Sequence, residues 1–145
     1  MNDVVMNKKE SVERCIRQIR AYYATISPLD FEEDYMKQDS IAINLQRACE
    51  QCIDLANYTI KARKLGLPKE SKESFALLAT AGIISNDLAK RLQGMVGFRN
   101  ILVHEYQRMD ISLMVDVIEN RLDDMVVFSN HVLHQFANNS TDKIG

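Results

Sequence analysis

Apolar residues return at every third or fourth position along almost the whole of this 145-residue chain, and no stretch alternates apolar with polar. That spacing keeps side chains on one face of an α-helix and would scatter them over both faces of a strand, so it selects helix. Only two prolines and five glycines interrupt the pattern. The expected fold is all-α: an antiparallel bundle of about five amphipathic helices around one core.

The punctuation sets the helix limits. A first helix is expected over 4–26, with Val5, Val12, Ile16, Ile19, Tyr23 and Ile26 on its stripe. Ser27 and Pro28 then supply a cap and a pre-set first-turn residue, and Asp30, Glu32 and Glu33 suit the positive end of the next helix. That helix is expected over 30–64, with Ile41, Leu45, Ala48, Cys52, Leu55 and Thr59 inward; Lys61, Arg63, Lys64, Gly66 and Pro68 spell its stop. A shorter helix covers 71–81. A fourth begins at the Ser85 cap, and a fifth runs over 110–136 behind the Asp110 cap. Residues 1–137 read as a single helical domain and 138–145 as a polar, flexible tail.

Composition narrows the function. Hydrophobic residues make up 46% and charged residues 26%, as in ordinary soluble globular proteins. A formal net charge of −2 gives no global positive field for nucleic acid, so RNA binding would need a local patch. Arg14, Arg17 and Arg20, with Arg47 and Arg108, are candidates for one, although solvated faces account for them more simply. No apolar run approaches the roughly 20 residues of a membrane span, and residues 1–10 carry no secretory core, so a reduced cytoplasm is expected. Cys49 and Cys52 form a C-x-x-C inside a helical pattern, beside Leu45, Ala48 and Leu55, which points to core packing over redox or zinc chemistry. His131 and His134 read as helix-surface residues, with no metal expected.

The fourth helix breaks its own rule. Leu88, Leu92 and Met95, extended in alternating steps, predict apolar residues at 99, 102 and 106, and the chain has Arg99, Leu102 and Tyr106. An unpaired guanidinium on a buried stripe costs several kcal/mol, so either a carboxylate lies opposite or the stripe opens into a wet cleft. If the helix continues, Tyr106 returns to within about 20° of Arg99, and Asn100 and His104 pair one turn apart on the adjoining face. Gly94 and Gly97, just upstream, remove bulk and permit close approach of another helix, including one from a second subunit.

These residues suit RNA cleavage through the 2′-hydroxyl. The reaction needs a base for that hydroxyl, an acid for the leaving oxygen, and positive charge on the phosphorane. His104 exchanges protons near neutral pH. Arg99 stays charged and grips phosphate with two parallel donors. Asn100 can orient His104 or the phosphate, and Tyr106 can stack on a base or offer its hydroxyl. The scheme calls for no metal and no cofactor. Since one helix supplies one imidazole, a two-fold dimer would supply the second.

The stretch Arg99-Asn100-Ile101-Leu102-Val103-His104-Glu105-Tyr106 forms an Arg-x4-His-x-Tyr motif on a late helix. Together with the segment 39–60, containing Asn44-Leu45-Gln46-Arg47-Ala48 and Ile53-Asp54-Leu55-Ala56-Asn57, it resembles the HEPN toxins of HEPN/MNT toxin–antitoxin pairs, often called HepT. The resemblance covers nearly the whole chain. It implies a homodimer with a composite, metal-independent ribonuclease site in which Arg99 and His104 are catalytic and Asn100 and Tyr106 position RNA. It also implies an MNT-type nucleotidyltransferase antitoxin that neutralises the toxin by transferring AMP onto Tyr106. Two other readings stand beside it. One is a non-catalytic helical subunit that presents substrate or nucleotide to a nucleotidyltransferase; the other is a structural dimer in which Arg99 pairs with Asp30, Glu32, Glu33 or Asp34.

Overall fold

A computed structural model describes the backbone of residues 2–144 and the side chains of residues 2–137. Among the described residues there is no strand; the elements are α1 (Asp3–Ala24), α2 (Pro28–Phe31), α3 (Tyr35–Arg63), α4 (Ser71–Thr80), α5 (Asn86–His104), a 3-10 turn (Tyr106–Arg108), α6 (Ile111–Asn120) and α7 (Leu122–Ile144). The polar tail expected over 138–145 falls beyond the side chains that are described.

Side chains fix most of the starts. Asn2 accepts the Val5 amide, Ser27 that of Asp30, Asp34 that of Lys37, Ser85 that of Leu88 and Asp110 that of Ser112, each at 2.9–3.2 Å. Each removes one orphan donor from a helix N-terminus. At the far end of α3, Lys64 adopts the left-handed conformation at φ 56, and Leu65 donates its amide back to the Ile60 carbonyl. The chain turns there before Gly66 and Pro68 are reached.

The bundle is all-helical as expected, but two of the five expected helices are divided. The 30–64 helix splits into α2 and α3, because Asp34 caps a new start and the buried Gln38 amide donates to the Phe31 and Glu32 carbonyls at 2.7 and 3.0 Å. Gln38 thus satisfies carbonyls that a continuous helix would have bonded internally. The 110–136 helix breaks at Arg121, where φ −121 and ψ −11 bend the chain between α6 and α7.

The 29-residue α3 is the spine, in contact with α1 along much of its length and with α4, α5 and α7. Val12, Ile16 and Ile19 of α1 and Leu45, Leu55 and Ile60 of α3 are fully buried, as are Leu92, Met125 and Phe128 from α5 and α7. At about 25 cal/mol per Å² of apolar surface, each such side chain contributes about 1.5–3 kcal/mol before conformational entropy is charged. Cys15, Cys49 and Cys52 are all reduced and buried in this core. Among the described residues, no helix is long and apolar enough to cross a membrane.

Candidate functional site

α5 carries the motif. Leu88, Leu92, Met95, Phe98 and Leu102 face the core, and this stripe anchors the rest of the helix. Arg99 is half-buried: its Nε is sealed from solvent with no hydrogen-bond partner, and it makes no ion pair among the described residues. Of the carboxylates considered as its partners, Asp34 caps α3, and Asp30, Glu32 and Glu33 form no bond to it. The next residue, Asn100, is exposed, as is His104 just over one turn on, and His104 is the last residue of the helix. The Glu105 amide closes it on the Ile101 carbonyl at 2.8 Å.

That closure moves Tyr106. A helical continuation would return it beside Arg99; instead it begins the 3-10 turn, and its ring packs against the core. Its hydroxyl donates to Asp39 Oδ1 of α3 at 2.5 Å. Burial, reinforced by the Asp39 carboxylate, holds the phenol protonated to a pH well above the ordinary tyrosine range. Beside it opens a cleft of about 810 Å³, whose walls include Tyr35, Asp39, Gln46 and Leu102 as well as Tyr106. Arg99, Asn100 and His104 do not line it. One chain therefore groups Arg99, Asn100 and His104 on the last two turns of α5 and sets Tyr106 apart in the cleft.

Two polar residues of α3 complete the picture. Tyr106 meets Asp39, and the Met95 carbonyl lies 4.0 Å from Cys49 Sγ, so α5 runs antiparallel to α3. This register sets Arg99 opposite the 44–46 stretch. Asn44 there is buried; its amide donates to the Ser40 carbonyl at 2.9 Å, while its Oδ1 has no partner. An orphan donor on α5 thus faces the stretch that holds an orphan acceptor on α3, and each orphan costs about 1–3 kcal/mol. The guanidinium also reaches electrostatically into the core. Burial pushes the Cys49 thiol up to about 12, and the Arg99 charge opposes that rise. Neither Asp39 nor Asn44 stands out in the sequence, although a polar amide between Ile41 and Leu45 was a visible irregularity.

The other sequence candidates fall as follows. Among the described residues, nothing outside the helix's own nearby backbone lies within 4 Å of where a Cβ at Gly94 would sit, and at Gly97 the nearest such atom is Lys72 Nζ at 3.7 Å, so packing within the described residues requires neither glycine. Arg20 is engaged by Asp123 of α7 at 2.6 Å, while Arg14 and Arg17 border a shallow groove with Glu10. His131 and His134 are exposed on α7.

The family model described as Ribonuclease HepT-like matches residues 12–132. The mRNA nuclease HepT of Shewanella oneidensis is 42% identical over 128 residues, spanning 88% of this chain and 95% of that protein. The tRNA nuclease HepT of Aphanizomenon flos-aquae is 26% identical over 107 residues, 74% of this chain and 72% of that one. Among solved structures, a tri-AMPylated Shewanella oneidensis HEPN toxin in complex with its MNT antitoxin superposes with a TM-score of 0.86 at 40% identity. That match covers 92% of this chain and 99% of the toxin.

Proposed function

Because the chain belongs to the HepT-like ribonuclease family, we propose that it is the toxin of a toxin–antitoxin pair, an RNA endonuclease acting in the cytoplasm through Arg99 and His104. The observation that carries this reading is the unpaired, half-buried Arg99 guanidinium one turn from an exposed imidazole at a helix end. A cation held without a counter-ion in a partly desolvated setting is suited to an incoming anion, and a phosphodiester supplies one.

The chemistry follows from the groups. An imidazole at position 104 takes the 2′-hydroxyl proton; the 2′-oxygen attacks phosphorus, and the 5′-oxygen leaves with a proton from an imidazolium. Arg99 neutralises the dianionic phosphorane, and Asn100, exposed beside His104, holds a phosphate or ribose oxygen. A single chain presents one such imidazole, so we assign the complete site to a homodimer in which two α5 ends meet. The bare backbone at Gly94 and the half-exposed Val103 on the same helix suit that approach. The antitoxin is an MNT-type nucleotidyltransferase, and Tyr106 is the AMP acceptor. An added phosphate beyond the end of α5 competes with substrate phosphate for Arg99.

The test is expression without the antitoxin. Wild-type protein should arrest growth and cleave RNA in the presence of EDTA. Arg99→Ala and His104→Ala should abolish both, the latter by about 10²–10⁴-fold. Full toxicity of His104→Ala would end the proposal. The second reading, a non-catalytic nucleotide-presenting subunit, is favoured by the cleft at Tyr106, which excludes Arg99 and His104; wild-type protein inert toward RNA but tightly bound to a nucleotidyltransferase would select it.

A further inference from the structure

The cleft beside Tyr106 contains a carboxylate with no cation to answer it. Its titratable walls are Glu32 from the end of α2, Tyr35 and Asp39 from α3, and Tyr106 from the 3-10 turn. Gln46 and Gln107 are neutral, and the wall from α6 is Ile111 and Met114. Asp39 makes no ion pair among the described residues, and the Tyr106 hydroxyl, 2.5 Å away, is the donor it receives. A 67-residue separation in sequence is spanned by this one contact between the second turn of α3 and the residue just past α5.

We infer that Asp39 is the proton acceptor and positioning residue that makes Tyr106 a nucleophile for nucleotidyl transfer. The inference rests on the reading of Tyr106 as the AMP acceptor and adds the residue of this chain that serves the transfer. A phenol attacking a triphosphate must lose its proton as the bond to phosphorus forms, and a base is useful only within hydrogen-bond reach of that proton. Asp39 Oδ1 meets that geometric condition. The step balances. Tyr106 Oη attacks the α-phosphorus of a nucleoside triphosphate, and the Oη–P bond forms. The bond from the α-phosphorus to the bridging oxygen breaks, pyrophosphate leaves with the electron pair, and the phenolic proton passes to the Asp39 carboxylate. Protonation also removes a negative charge from the cleft as the phosphodiester arrives. The product has lost its O–H donor, so the modified side chain is no longer tethered to Asp39 and is free to move toward the end of α5. The raised ionisation range of Tyr106 agrees with this arrangement, since a phenol that stays neutral needs a base at the moment of attack.

The experiment uses the full chain in complex with its cognate nucleotidyltransferase, given magnesium and ATP, with the AMP adduct followed by intact mass. Asp39→Asn keeps an acceptor oxygen but cannot take the proton. It should slow labelling by about 10²-fold. Asp39→Glu should restore much of the rate, and RNA cleavage by both variants in the absence of antitoxin should stay at the wild-type level, which also shows that they fold. Labelling of Asp39→Asn at the wild-type rate, or of Asp39→Glu as slowly as of Asp39→Asn, overturns the role of Asp39 while leaving Tyr106 as acceptor. No adduct on wild-type protein, or an undiminished adduct on Tyr106→Phe, overturns the acceptor reading itself.

Discussion

Tyr106 is bonded to Asp39 in the unmodified protein and, as an acceptor, must give up that bond, so its hydroxyl governs two separable properties. Tyr106→Phe removes one hydroxyl–carboxylate bond at a partly exposed site, a loss of about 1 kcal/mol in a denaturant titration. The sign with pH is fixed by direction: an ionisation raised on folding stabilises below the ordinary tyrosine range and is lost as pH climbs through the raised value. The stability gap between wild type and variant should therefore shrink in strong alkali. In cells the same variant should remain toxic when the antitoxin is co-expressed, because Arg99 and His104 are intact, a Phe ring keeps the face that stacks on a base, and the acceptor oxygen is gone; growth rescued as fully as for wild type would refute this. Arg99 was legible in the sequence because it replaced an apolar residue on a regular stripe. Asp39 was not. It is one of 20 acidic residues, and its meaning comes from a partner that only the fold brings near.

At the level of elements, the apolar stripe exposed each helix but concealed where two of them break. From Ile118 through Leu122 to Met125 the buried positions keep helical phase across Arg121, so the bend between α6 and α7 leaves no mark in the periodicity. Asp34 was hidden for another reason: it follows Asp30, Glu32 and Glu33, which suit the start of one continuous helix, when it is the cap of a new one. The same ambiguity affected Tyr106, since helical geometry was extended two residues beyond the true end at His104. The α2–α3 break depends on Gln38, whose amide bonds two carbonyls. Gln38→Leu keeps the bulk, orphans the Glu32 carbonyl and leaves the Phe31 carbonyl only the Asp34 amide at 3.3 Å, so unfolding should be easier by about 1–3 kcal/mol. Since Gln38 borders the cleft, slower Tyr106 labelling should accompany that loss, with RNA cleavage little changed. A variant as stable as wild type would show that water satisfies the α2 carbonyls.

For the whole molecule, the assignment of one site to two α5 ends is tested by how many imidazoles one cleavage event uses. Among the described residues, a single chain places one imidazole, His104, at the exposed end of α5, with Asn100 exposed and Arg99 half-buried on the turns before it. Two arrangements meet this geometry: independent sites, one per protomer, or one shared site in which the two-fold axis supplies acid and base. They differ in a measurable ratio. In a covalently tethered dimer with His104→Ala in one protomer only, independent sites predict about half the wild-type cleavage rate. A shared site with distinct acid and base roles loses one proton-transfer partner in every molecule, so the rate should fall well below one-tenth, since each such group is worth about 10²–10⁴-fold. Tethering prevents exchange back to wild-type dimers, and unchanged RNA binding by the tethered variant confines the effect to the chemical step. A residual rate near half would assign a complete site to each chain, and the AMP on Tyr106 would then have to block its own protomer's α5 end and not a common groove.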